Sequence, residues 1–236
     1  MRTQTRHRLK QDQFAAGASE ALDWTVAHRD KLTYVGIAAI VILVLGLGGW
    51  WYYQQQDEAA GMALGHAIAT YTTPLAVAGQ PAAPGVPSFA TAQDRGKAAR
   101  EEFKKVAEKY SLTNSGELAR YFMGLTDMET NNAADAEREL KEVAGTRNSD
   151  TSSLAKMALA SLYRRTGRDQ EAIKLYKELS DKPSNTVSKS AAQLEMAATY
   201  ETKDPQNAKI IYQQIQKDDA KGPAAEIAAQ RLASLK

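Results

Sequence analysis

Residues 35–51 form a run of apolar and small side chains, VGIAAIVILVLGLGGWW, without one charged or strongly polar residue. A core helix of a soluble protein would keep a polar face over this length, and this run has none. Together with the flanking residues 32–34 and 52–53 it is long enough, at ~1.5 Å rise per residue, to cross a hydrocarbon core of about 30 Å as a helix. It ends in Trp50, Trp51, Tyr52 and Tyr53, whose rings suit the boundary between lipid tails and headgroups. A cleaved secretory signal has a short basic start and a small-residue cleavage site. Here a long polar tail comes first and bulky aromatics close the run, so the pattern predicts a retained anchor.

Beyond the anchor the polar and apolar positions alternate with helical period. Residues 57–71 have helical composition. Pro74, Pro81, Pro84 and Pro87 then fall in an Ala/Gly/Pro-rich stretch, 73–91, that cannot sustain helical hydrogen bonding and reads as an insertion between two helices. From Asp94 onward Glu, Lys, Ala, Leu and Arg dominate, and runs of β-branched residues are missing. Asp94 is the expected N-cap of a helix reaching Tyr110, with Phe103, Val106 and Tyr110 on one face. Asn114 or Ser115 is expected to start the next helix, and Pro183, Pro205 and Pro223 fall where helices should stop or begin.

Within this region the chain echoes itself. Gly124, Ala136, Leu140 and Val143 correspond to Ala160, Ala172, Tyr176 and Leu179, and again to Ala197, Ala208, Tyr212 and Ile215 after a turn one residue shorter. The middle copy is the clearest: Leu159-Ala160, Tyr163, Gly167, Ala172, Tyr176, Leu179 and then Pro183. The third has Met196-Ala197, Tyr200, Ala208, Tyr212 and Ile215. This order resembles the tetratricopeptide repeat, a helix-turn-helix unit in which small residues sit where two helices cross and large ones surround them. The first copy departs from it, with Asp127 in place of the aromatic and Asn131-Asn132 in place of the turn glycine. Residues 57–71 and 94–110 read as a leading unit split by the insertion. The closing segment 223–235, with Ala224, Ile227, Ala228, Leu232 and Leu235 apolar, reads as the capping helix that a stack of repeats requires. The expected fold is therefore all-α: one transmembrane helix, then a solenoid of about 3 to 4 helical hairpins and a C-terminal cap.

Charge sets the orientation. Arg2, Arg6, Arg8, Lys10, Arg29 and Lys31 all precede the span, and the next basic residue is Arg95. That asymmetry holds the N-terminal side in the cytoplasm. The expected organisation is a cytosolic tail, 1–31, a span, 32–53, and an exported domain, 54–236. In the tail, residues 14–26 place Phe14, Ala18 and Leu22 on one side, and with Trp24 they read as a helix on the inner leaflet or leading into the span. Six of the 30 Lys and Arg and four of the 28 Asp and Glu lie before residue 54, leaving 24 of each beyond it. The exported part is thus neutral, without the basic excess that nucleic-acid binding calls for.

Chemistry is sparse. The chain has no Cys, which removes disulfides, thiolate metal sites and cysteine nucleophiles. His7 and His28 lie in the tail and His66 is alone beyond the span, so no metal site or cofactor is expected. There is no phosphate loop, nucleophile elbow or H-E-x-x-H motif, so neither catalysis nor a small-molecule substrate is expected. Glu137, Glu139 and Glu142 beside Arg138 and Lys141 read as a solvated helix face laced with ion pairs.

Binding is the remaining capability. In such a stack the first helix of each unit lines the concave surface. Helical spacing puts Leu118, Tyr121, Leu125 and Met128 there in the first copy, Leu154, Met157, Ser161 and Arg164 in the second, and Ala191, Leu194, Ala198 and Glu201 in the third. Such a groove, with adaptable Met side chains, fits a partner helix or an unfolded segment.

The short basic tail, Gly-rich span with aromatic end, helical repeats and closing P-A-A-E-I-A-A-Q-R-L-A-S-L resemble the bacterial single-span, tetratricopeptide-like family that contains the ancillary subunit of the Sec translocon. The resemblance implies a single-pass inner-membrane protein with its repeat domain in the periplasm. It further implies association with translocon subunits and periplasmic chaperones in support of newly exported polypeptides. A structural scaffold in another envelope assembly, for division or secretion, would use the same fold.

Overall fold

The computed structural model describes residues 29–76, 88–218 and 220–235. The tail helix expected at 14–26 and the insertion's residues 77–87 lie outside them. The described residues divide into two compact units, with the boundary between residues 55 and 56.

Among the described residues there are nine helices: α1 (Arg29–Thr72), α2 (Ala92–Lys109), α3 (Asn114–Glu129), α4 (Ala133–Ala144), α5 (Ser149–Arg165), α6 (Asp169–Asp181), α7 (Lys189–Tyr200), α8 (Pro205–Asp218) and α9 (Pro223–Ser234). In the first unit, α1 carries the apolar run, with Ile40, Ile42, Leu45 and Trp51 exposed along it. The helix is long and apolar enough to cross a membrane. Pro74 sets its end, because the residues ahead of a proline leave helical geometry.

In the second unit each helix packs on the next in sequence, and α3 also packs on α5 and α7 on α9. Residues 56–72 of α1 pair with α2 through Ala60, Leu64 and Ala67 against Ala99 and Phe103. The pairs α3–α4, α5–α6 and α7–α8 follow, and α9 closes the last layer through Ala224 and Ala228. Small residues mark the crossings. A Cβ on Gly124 would meet Leu140 Cγ at 2.6 Å, so α3 and α4 are as close as two backbones with a leucine between them allow. Ala160 and Ala172 are fully buried at the equivalent crossing of α5 and α6.

The departures in the first copy have physical solutions. Asn131 adopts φ 61°, the left-handed conformation that Gly167 supplies at φ 78° in the next unit; Asn tolerates it better than other residues with a side chain. Asp127, where the second copy has Tyr163, is fully buried and accepts a 2.6 Å hydrogen bond from Arg100 Nε.

Three local expectations need correction. The N-cap of α2 is Thr91, whose hydroxyl accepts from the Asp94 N–H and donates to the Asp94 carboxylate; Asp94 is the third residue of the helix. Asn114 starts α3 as expected, directly after its N-cap Thr113. The charged run of α4 is an exposed, ion-paired face at Arg138, Lys141 and Glu142 only: Glu139 is buried against Arg120, and Glu137 is half-buried, holding Arg168 and the Tyr163 hydroxyl of the following unit. Ile227 points outward, 45% exposed, while its neighbours Ala224 and Ala228 carry the capping contact. The two ends of the proline-rich insertion meet: Ala76 N–H donates to Phe89 O at 2.8 Å and Phe89 N–H to Pro74 O at 3.2 Å.

Candidate partner-binding groove

The first helices of the second, third and fourth hairpins, α3, α5 and α7, line a shared groove of about 460 Å³. Tyr121, Leu125 and Met128 come from α3, Leu154, Met157, Ala158, Ser161 and Arg164 from α5, and Ala191, Leu194 and Glu195 from α7. Tyr176 of α6 completes the lining and is fully buried. The α3 side is stiffened by aromatic packing: Tyr121 meets Phe122 edge-on at 5.4 Å between ring centroids, and Phe122 stacks on Phe103 at 5.1 Å. Met128 and Met157 join the same apolar cluster as Leu125 and Tyr121, so the wall is continuous with the core beneath it.

Spacing on α3 and α5 places Tyr121, Leu125, Met128, Leu154, Met157, Ser161 and Arg164 together, and α7 adds Leu194. Three expected residues do not line it, and one of them, Ala198, is half-buried on α7. Leu118 packs into the cluster formed by α1, α2 and the start of α3. Glu201 follows the last residue of α7 and turns away, accepting the Tyr212 hydroxyl at 2.7 Å and facing Arg231 at 3.6 Å. Three lining residues were not anticipated: Ala158, Glu195 and Tyr176. Glu195 stands four residues after Ala191, where the helical period would have found it. Tyr176 reads in the sequence as a layer filler between units, and nothing in its spacing shows that it also reaches the groove.

The electrostatics are simple. Arg164 Nη1 and Glu195 Oε2 pair at 3.1 Å across α5 and α7, and among the described residues no other charged side chain lines the groove. Burial, reinforced by Glu195 and opposed by Arg164, pushes the Tyr176 phenol up to about 12, so it remains a neutral hydrogen-bond donor. Its hydroxyl oxygen is buried and has no hydrogen-bond partner among the described residues. Phosphates or carboxylates would find no free cation on this lining, and an ionic partner no counter-charge.

A second concavity of about 430 Å³ is lined mainly by charged groups, including Arg100, Arg120, Arg138, Asp135 and Glu139. Arg138 holds Asp135 and Glu139, Arg120 reaches Glu139 and Glu142, and Arg100 of α2 holds Asp127 of α3. It is an ion-pair network joining α2, α3 and α4. Among the described residues no group of three or more His, Asp or Glu is placed to hold a metal ion. His66 Nδ1 lies 3.1 Å from Glu102 Oε2 on α2.

Consecutive helical hairpins stacked through small-residue crossings, with an apolar groove on their first helices, define an α-solenoid scaffold for protein interaction. A family model described as a tetratricopeptide repeat-like domain matches residues 27–178, and the chain belongs to that family. A solved structure shares the fold: a single-residue variant of a Podosopora anserina protein, described as a kinesin light chain with nearly identical TPR-like repeats. It is 18% identical, covers 77% of this chain and 84% of its own, and superposes with a TM-score of 0.51. No curated protein matches the chain. The repeat fold is characteristically a binding scaffold without catalytic activity.

Proposed function

We propose that this chain is a membrane-anchored adaptor of the bacterial cell envelope. Residues 32–53 cross the inner membrane, residues 1–31 remain cytoplasmic, and residues 54–236, with the proline-rich insertion at 73–91, work in the periplasm. The repeat domain associates with the Sec translocon and periplasmic chaperones and assists newly exported polypeptides. One observation carries this reading. A helix apolar enough to span a membrane, flanked by basic residues on its N-terminal side alone, precedes a repeat domain whose groove is apolar and uncharged apart from one internal ion pair. A groove of that chemistry suits apolar protein segments, which are exposed chiefly while chains emerge unfolded. Anchoring beside the exit site raises the effective concentration of the domain without any new contact.

The test is affinity purification of the full chain from detergent-solubilised membranes, after crosslinking in growing cells, beside its Met157→Glu variant. Translocon subunits or periplasmic chaperones recovered with the native chain and depleted from the variant are expected. Recovery of one division or secretion complex alone would overturn the export reading.

A further inference from the structure

The turns that join one hairpin to the next share an edge of the second unit. Asn148 Nδ2 donates to Asn114 Oδ1 at 3.2 Å, which ties the α4–α5 turn to the start of α3. Asn185, between α6 and α7, donates to both Asp150 oxygens at 3.1 Å, through its N–H and its side-chain amide. Charge on this edge is uneven. Lys109, Arg147 and Lys182 are exposed, one at each turn, and among the described residues none of them forms an ion pair. The acids Asp150, Asp181 and Asp218 are engaged by Asn185, Lys177 and Lys189. Glu58 is exposed at the same end and opposes the cations, which still leaves a basic excess. At the opposite edge, Arg168 and Lys203 are held by Glu137 and Asp169. Leu112 projects from the α2–α3 turn with 88% of its surface exposed, the most exposed large apolar side chain among the described residues.

The chain enters the unit at this edge. Residues 56–72 of α1 run antiparallel to α2: Arg95 Nη1 donates to Thr73 O at 3.3 Å, and Thr70 Oγ1 to Glu102 Oε2 at 2.8 Å. Continued at equal rise, that register brings residue 57 level with the turn that carries Leu112. With the span ending at Tyr53, three residues reach no further than about 11 Å, so residue 56 stands within that distance of the lipid. We propose that the edge formed by Lys109, Leu112, Arg147 and Lys182 docks on an anionic phospholipid surface, Leu112 entering the headgroup layer and the three cations meeting the phosphates. This rests on the membrane-anchored reading above and adds a lipid site to the repeat domain. Apolar insertion and cationic attraction reinforce each other at such an interface. Each basic residue close to anionic lipid strengthens attachment about fivefold. Helix ends, not helix faces, form this edge, so docking leaves the α3–α5–α7 groove open.

Because the chain has no Cys, a single nitroxide can be attached through Ser111→Cys, an exposed position beside Leu112. The full chain would be placed in nanodiscs of phosphatidylcholine alone or mixed equally with phosphatidylglycerol, and collisions of the nitroxide with a water-soluble nickel chelate measured. The collision rate is expected to be about fivefold lower in the anionic lipid. Lys109→Glu with Arg147→Glu should restore access with an unchanged thermal midpoint, since both side chains are exposed, and Leu112→Ser should restore it as well. Nitroxides at Leu45→Cys, in the span, and Thr202→Cys, at the opposite edge, are the controls: the first should be shielded in both lipids and the second open in both. Equal access at residue 111 in the two lipids, with residue 45 shielded, overturns the lipid site and leaves the adaptor reading intact. An open residue 45 overturns the anchor and the lipid site together. Shielding at residue 111 that ignores lipid charge and the paired reversal overturns the anionic site. Shielding in native membrane vesicles but not in anionic nanodiscs would make a protein the occupant and also overturn it.

Discussion

Arg100 Nε donates a 2.6 Å hydrogen bond to Asp127 Oδ1, and the carboxylate it holds has no exposed surface. The next repeat carries Tyr163 at the corresponding position, so one ion pair between α2 and α3 replaces an aromatic packing contact. Burial raises the Asp127 carboxyl above the usual Asp value, and Arg100 opposes that shift. Arg100→Ala would strand a buried charge and is expected to cost about 3 kcal/mol at neutral pH. With the carboxyl raised further, its protonated form is favoured in the folded state, so the deficit should shrink as pH falls. Replacing both residues, Arg100→Met with Asp127→Leu, should recover most of the loss. Urea denaturation of the three chains measures this.

Glu137 ties α4 to the following unit. It accepts from Arg168 Nη2 at 2.6 Å and from the Tyr163 hydroxyl at 3.1 Å, and Arg168 also lies over the Tyr163 ring. Hydrogen bonding from Arg168, then from Lys141, lowers its carboxyl to about 2. A depressed carboxyl stabilises the fold above its unfolded value, near 4.3, and loses that contribution as pH falls through the folded value. Glu137→Gln is expected to cost about 1 kcal/mol at pH 7, and the two chains should converge towards pH 2. Equal stability at pH 7 would remove the role assigned to this network.

Glycine positions should separate by packing alone. Gly61 and Gly65 are helical, and a Cβ at either would meet nothing within 4 Å, whereas at Gly124 it would strike Leu140. Gly61→Ala is expected to raise stability by about 0.5–1 kcal/mol through helix propensity. Gly124→Ala is expected to lower it by about 1–3 kcal/mol through overpacking. Calorimetric midpoints of the two variants test the close crossing of α3 and α4.

Orientation can be read from one added thiol, since the chain has no Cys. Ser88→Cys lies beyond the span and is exposed. It should react with a membrane-impermeant maleimide once the outer membrane is permeabilised and the inner membrane left intact. Labelling only after complete lysis would invert the topology and remove the periplasmic reading.

The solenoid was legible because its determinants are local. Ala160, Gly167, Ala172 and Tyr176 recur at repeat spacing, and each acts within one or two turns of its own hairpin. The groove was legible on α3 and α5 for the same reason: Tyr121, Leu125 and Met128, like Leu154, Met157, Ser161 and Arg164, follow a single helical stripe. What escaped depends on partners distant in sequence. Glu139 reads as exposed until Arg120 of α3 covers it, and Leu118 reads as groove-lining until α1 and α2 pack against it. Glu201 belongs to the stripe in spacing but follows the end of α7, where Tyr212 of α8 takes it. The reach of Tyr176 into the groove depends on how α5 and α7 are set around α6, which no periodicity within α6 encodes.

On the proposed function, protein partners dock on the α3–α5–α7 groove. The most direct measurement is photocrosslinking in living cells from a reactive amino acid placed at Met157, compared with one at Ile210, which is 61% exposed on α8 and outside the groove. Protein adducts from Met157, lost when Leu154→Glu is added to a chain that still folds, and absent from Ile210, are the expected result. Adducts of equal yield from both sites, or from Ile210 alone, would contradict it.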